Sequence, residues 1–139
     1  IVFVPFTAAL HGLAAFLRKH GHTVAVVDGS VSASKRTAIF DAFQNENSPR
    51  VLIAHPATTA HGLTLTRADT TVWYAPIFSL EIFDQANNRM NRPGQINNMT
   101  VAMVSATPME RQLYAALAGK ARMQDAVLQL YKKEIGACT

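Results

Sequence analysis

Short runs of β-branched and apolar residues recur along this chain, separated by longer stretches whose apolar positions return every three or four residues. The short runs predict strands at Ile1 to Val4, Thr23 to Val27, Arg50 to Ala54, Thr71 to Tyr74 and Thr100 to Val104. Between the first two, Leu10, Leu13, Ala14 and Leu17 repeat at helical spacing, which predicts a helix from about Ala8 to Lys19 that Gly21 terminates. A second helix, Ser32 to Gln44, follows a serine start signal and turns Ile39, Ala42 and Phe43 inward. Gly62 to Thr66 reads as a loop or short turn, and a third helix runs from Ser79 to Asn91. Helices from Pro108 to about Leu117 and from Met123 to Glu134, joined around Gly119, complete the pattern. Strands alternating with helices build βαβ units, so the expected fold class is α/β, a parallel sheet with helices on both faces. No internal repeat, low-complexity tract or linker divides it, and residues 1–139 read as one domain.

Composition narrows the picture only a little. A length of 139 residues fits one domain with a real core, and 49% hydrophobic against 16% charged residues suits a covered sheet. The formal net charge of +4 favours polyanionic partners mildly. Cys138 is the one cysteine, which excludes an internal disulfide framework and a cysteine-based zinc site and is compatible with a reducing cytosol. No apolar run has the length of a membrane span, and Ile1 to Val4 lacks the basic flank of a signal peptide. A soluble, cytoplasmic protein is expected. The chain starts in a strand-like run without methionine, which suggests a fragment of something longer.

The chemistry concentrates between Gln85 and Gln95. On a helix, at about 100° per residue, Gln85, Arg89 and Arg92 share one narrow arc while Ile82, Phe83, Ala86 and Met90 fill the adjoining one. Two guanidinium forks held by a packed helix suit a polyphosphate, and Pro93 and Gly94 close the helix so that Arg92 stands at its end. Gly29 and Ser30 after one strand, and His55, Thr58, Thr59, His61 and Gly62 after another, put small residues, hydroxyls and N–H groups at the crevice where parallel sheets bind ligands. Trp73 and Tyr74 present a choice between stacking on bases and packing in the core. No carboxylate or cysteine accompanies His55 and His61, so no metal site is expected. Ser30, Asp28 and His55 lack the G-x-S-x-G elbow of a nucleophile triad, and His11, His20 and His22 are read as carrying no specific role.

The run Gln85-Ala86-Asn87-Asn88-Arg89-Met90-Asn91-Arg92-Pro93-Gly94-Gln95 closely resembles motif VI of superfamily 2 helicases, in the form carried by Swi/Snf-type DNA translocases. Ile1 to Phe6 resembles motif IV, Asp28-Gly29-Ser30 a D-G-S/T element before a helix with Lys35 and Arg36, and Ala54 to Leu65 motif V. Ala68-Asp69 with the strand to Trp73, and Val101 to Glu110, match the elements on either side of motif VI, so the resemblance spans Ile1 to about Lys120. It implies the second RecA-like lobe of a helicase or translocase. Arg89 and Arg92 would then reach ATP bound on an N-terminal RecA-like lobe, Gln85 and Gly62 would border the nucleotide, and the Gly29, Ser30, His55, Thr58, Thr59 and His61 loops would grip a nucleic-acid backbone, double-stranded DNA in this family.

The chain has no G-x-x-x-x-G-K-[ST] phosphate loop and no D-E-A-H-type carboxylate pair. ATP and Mg²⁺ are therefore expected to sit mainly on the missing lobe, and this fragment alone to be inactive. Thr59-Ala60 in place of a glycine pair, His61, Thr64, and Tyr74 to Phe78 in place of D-x-x-W-N-P depart from the family wording and suggest a prokaryotic or phage-like subgroup. A RecA-like module that binds nucleic acid or protein without ATP is the alternative reading.

Overall fold

The computed structural model describes residues 1–59 and 64–120. Strands β1 (Val2–Phe3), β2 (Val24–Val27), β3 (Val51–Ala54), β4 (Thr70–Trp73) and β5 (Thr100–Met103) form an all-parallel sheet in the order β2-β3-β1-β4-β5. Helices α1 (Thr7–Lys19), α2 (Ala33–Asn45), α3 (Leu80–Asn87) and α4 (Pro108–Ala118) flank it, and a 3₁₀ turn, Pro56–Thr59, follows β3. Residues 60–63 and the expected helix from Met123 to Glu134 lie outside the described residues.

Parallel strands need crossovers, and right-handed crossovers in opposite directions put their helices on opposite faces. The chain moves one way across the sheet from β1 to β2 and the other way from β2 to β3, so α1 and α2 cover different sides. Side chains alternate accordingly. Val4 and Ile53 meet Leu10 and Ala14 of α1 on one face, while Phe3, Val27, Leu52 and Ala54 meet α2, α3 and α4 on the other. At the centre of the thicker layer the fully buried Trp73 ring lies 4.8 Å from Phe3 and 4.7 Å from Phe83, centroid to centroid. Its indole N–H donates to Asn87 Oδ1 at 3.0 Å, and the Tyr114 hydroxyl donates to its carbonyl at 3.2 Å. Trp73 is therefore core, and strand alternation leaves Tyr74 facing solvent.

Local chemistry sets most boundaries where the pattern put them. α1 ends in a Schellman motif, with Gly21 N–H on Arg18 O and His22 N–H on Leu17 O, and Gly21 at φ +84° takes the left-handed position. α4 opens on a reciprocal capping box of Thr107 and Glu110 with Pro108 in its first turn. Two expectations need correction. In α2 the buried residues are Phe40 and Phe43, with Ile39 and Ala42 only partly covered, because the helix turns its aromatic edge toward the sheet. The third helix stops at Asn87, not Asn91, so Arg89 and Arg92 stand in the turn that follows it.

Candidate phosphate-binding site

Pro93 frees one carbonyl in the segment that follows α3. A continued helix would bond Arg89 O to the N–H of residue 93, and Pro93 has none. That carbonyl instead accepts the N–H of Leu65 at 2.9 Å, a bond between segments far apart in sequence. The chain tightens after Asn87, with Arg89 N–H on Ala86 O and Met90 N–H on Asn87 O, both at 3.3 Å. Residues 92–95 then close a β-turn in which Gln95 N–H reaches Arg92 O at 3.1 Å. Pro93 in its second position and Gly94 at φ +104° in its third make it type II. A Cβ on Gly94 would meet only Thr66 Oγ1, at 3.9 Å, so the backbone angle and not space demands glycine there.

This turn fixes both arginines. Arg89 is buried at 7% exposure beside the fully buried Met90, whose sulfur accepts the Thr71 hydroxyl at 3.0 Å. Burial, and then the positive charge of Arg92, pull the Arg89 guanidinium below its ordinary value. Arg92 is half-buried, and among the described residues its guanidinium makes no ion pair. Gln85 does not share their arc: it lies on α3 and donates to Glu81 Oε1 at 2.9 Å, one turn back. Gln95, to which the sequence assigned no role, sends its side-chain amide to the carbonyls of Ala68 at 2.8 Å and Thr66 at 3.0 Å, with Met90 O at 3.5 Å. The only sequence signal for it was its place at the end of the motif.

A different constellation occupies the carboxyl ends of β2 and β3. Asp28, buried at 3% exposure, accepts the Ser30 hydroxyl at 2.6 Å and the Ser30 N–H at 2.9 Å on Oδ1, and His11 Nε2 at 2.8 Å on Oδ2. Opposite a carboxylate, Nε2 must carry the hydrogen. Ser30's hydroxyl and N–H, with a smaller part from His11, hold the Asp28 carboxyl below its usual range. The reading of His11 as idle is corrected, since it braces this loop. Ser30 does not bond to His55, so the triad is not assembled. Gly29 stands exposed, with nothing within 4 Å of where a Cβ would lie and no left-handed φ. The protein's own packing does not require a glycine at that position.

Next to it, His55 N–H bonds to Val27 O at 2.8 Å, joining the two strand ends. Thr58 and Thr59 are buried, and their hydroxyls donate inward, to His55 O at 2.7 Å and Pro56 O at 2.8 Å. Both side chains thus fix the shape of the 3₁₀ turn, and the ring of partly covered His55 accepts the Ala57 N–H on Nδ1 at 3.3 Å. His61 and Gly62 lie outside the described residues. A cleft of about 380 Å³ opens beside this turn, flanked by exposed Phe6 and Phe78 and floored by Pro56 and Ile82. Among the described residues no group of three or more His, Cys, Asp or Glu is placed to hold a metal ion, and no helix is long and apolar enough to cross a membrane.

The two constellations face different ways. Gln95 clasps residues 66–68, which lead into β4, whereas Asp28 to Ser30 and His55 to Thr59 leave β2 and β3. In a parallel sheet those are opposite ends.

Residues 1–94 match the helicase conserved C-terminal domain family. Over 132 residues the chain is 30% identical to Helicase SWR1 of Gibberella zeae, an alignment covering 93% of this chain and 8% of that protein. It is 29% identical over 130 residues to Protein CHROMATIN REMODELING 19 of Arabidopsis thaliana, with 93% and 17% covered, and 26% identical over 130 residues to Helicase domino of Drosophila melanogaster, with 93% and 4% covered. The chain thus spans less than a fifth of the length of each of these relatives. In fold it matches the C-terminal part of the Fun30 ATPase domain at TM-score 0.74 and 21% identity, covering 82% of this chain and 37% of that one. The C-terminal domain of the DEAD-box protein Dbp5 matches at TM-score 0.72 and 18% identity, covering 95% and 80%, so the sheet is RecA-like. These relatives come from fungi, a plant and an insect, and the expected prokaryotic or phage-like origin finds no support in them. The chain belongs to the helicase conserved C-terminal domain family of superfamily 2.

Proposed function

We propose that this lobe is one half of a composite ATP site in a longer ATP-dependent DNA translocase, with Arg89 and Arg92 reaching a nucleotide held by an N-terminal RecA-like lobe. The observation that supports the reading is the placement of two arginines, buried Arg89 and half-buried Arg92, in the short stretch between α3 and the Pro93-Gly94 turn. A guanidinium fork matches phosphate oxygens bidentately, and a triphosphate whose negative charge shifts during transfer suits two of them. This chain carries no phosphate loop and no acidic pair, so Mg²⁺ falls to the other lobe, where it would neutralise charge on the phosphates. Here the arginines orient the terminal phosphoryl group and favour its transition state over its ground state. The lobe alone is inactive.

The nucleic-acid side is proposed at the opposite end of the sheet. Gly29 leaves room for close backbone approach, and Thr58 and Thr59 hold the turn after β3 in shape; Ser30 and His55 are the side chains proposed to join them. Contacts of this kind read phosphates and not bases, which suits movement along arbitrary sequence. Double-stranded DNA is the track proposed; one relative is named for chromatin remodeling. Closure on ATP would shift this end relative to the first lobe's grip, and hydrolysis would release it.

The test is turnover of the full-length protein with Arg89→Ala or Arg92→Ala. Each is expected to lower DNA-stimulated ATP hydrolysis by about 10³-fold or more. DNA affinity without nucleotide is expected to stay within about threefold. Unchanged turnover would instead favour a RecA-like binding module that does not use ATP.

A further inference from the structure

The side chain of Gln95 lies where the arginine turn meets the rest of the fold. Its amide nitrogen has two hydrogens, and the carbonyls of Ala68 and Thr66 take them at 2.8 and 3.0 Å, with Met90 O at 3.5 Å close by. Its amide oxygen accepts Asn97 N–H at 2.9 Å, and its backbone N–H closes the turn on Arg92 O at 3.1 Å. One residue therefore joins the turn bearing Arg92, the backbone beside Arg89 and the segment entering β4. That segment is itself held from α2, where Gln44 donates to Thr66 Oγ1 at 3.1 Å and accepts Arg67 N–H at 3.2 Å. Just before this segment, Leu65 N–H donates to Arg89 O at 2.9 Å.

We propose that Gln95 is a positioning residue for phosphoryl transfer, setting where Arg89 and Arg92 stand by clamping their turn to residues 66–68; the inference rests on the function proposed above. It touches no reacting atom in that scheme. Its action is geometric: a neutral group that donates twice and accepts once fits this nest of carbonyls, whereas a carboxylate would face them with oxygen and a thioether would leave them without donors. A displacement of about 1 Å at a catalytic group costs about 10²-fold in rate, so loosening the clamp affects the transition state before it affects binding.

The experiment compares Gln95→Met and Gln95→Glu, both close to glutamine in length, in the full-length protein, with Arg92→Ala measured alongside. Both Gln95 variants are expected to lower kcat for DNA-stimulated ATP hydrolysis by about 10- to 100-fold while KM for ATP and DNA affinity stay within about threefold. Gln95→Glu keeps the shape and loses the donors, so a rate near wild type for it would show that filling space is the residue's whole contribution and overturn the proposal. A raised KM with kcat retained, or a loss of DNA binding in step with kcat, would overturn it too. If Arg92→Ala collapses turnover and the Gln95 variants do not, only this inference fails. If Arg92→Ala is also without effect, the function on which it rests fails with it.

Discussion

The turn at Arg89 to Gln95 and the loop at Asp28 to Ser30 both present polar groups beyond one end of the sheet, and they are held in opposite ways. The arginine turn is tied by backbone and amide bonds to residues 65–68, which reach it from elsewhere in the chain, and it rests on buried Met90. The Asp28 loop is held by one carboxylate that gathers its own neighbour Ser30 and a single histidine from α1. The first inherits its geometry from the fold, the second from a local turn. A group that must meet a transition state benefits from the first arrangement, and a group that follows a passing phosphate backbone tolerates the second.

Gly94→Ala should break the rigid side of this contrast most strongly. Forcing a Cβ into φ +104° costs about 1–3 kcal/mol, and the strain falls on the bond that closes the turn. Thermal or urea melts should show that loss, with turnover falling further than stability alone explains.

On the local side, Asp28→Ala removes bonds to groups that water can then reach, so the expected loss is about 0.5–1.5 kcal/mol. Its pH dependence follows from the sign of the shift. The folded Asp28 carboxyl titrates below its ordinary 3.8, so its stabilisation is present above that value and is lost as pH falls through the folded pKa. Melts from neutral to strongly acidic pH should show wild type and Asp28→Ala converging only at the acidic end. A constant gap would mean that Asp28 acts through shape.

The smallest effect on stability is expected at Gly29. With open space around it and no left-handed φ, Gly29→Ala should shift stability by no more than about 0.5 kcal/mol. DNA affinity should fall nonetheless, read as a weaker equilibrium constant at fixed salt. A stable variant that binds DNA as well as wild type would remove Gly29 from the interface.

The sequence made the sheet legible because its strands are short apolar runs set between helical periods, and period alone separates them. It placed the end of α1 at Gly21 and the start of α4 at Pro108, where local capping chemistry sets the boundary. The end of α3 was misjudged for the opposite reason. Pro93 was read as ending the helix at Asn91, but the helical bonds already tighten at Arg89 and Met90, and the Arg89 carbonyl that Pro93 leaves open takes Leu65 as a tertiary partner. Phe40 was missed because one position of rotation separates it from Ile39, and packing against the sheet decided between them. His11 and Gln95 were invisible for a related reason: a histidine in α1 and a glutamine after a turn acquire meaning only when folding brings Asp28 and residues 66–68 to them. The arginines stood out in the sequence because residue type and spacing carry the chemistry proposed for them, whatever the exact backbone that holds them.

The central claim is that Arg89 and Arg92 act on a nucleotide held by another lobe. The most direct measurement is kcat for ATP hydrolysis by the full-length protein carrying Arg92→Ala, at saturating ATP and double-stranded DNA. A fall of about 10³-fold or more with KM for ATP within about threefold is the predicted result. Turnover equal to wild type would contradict it.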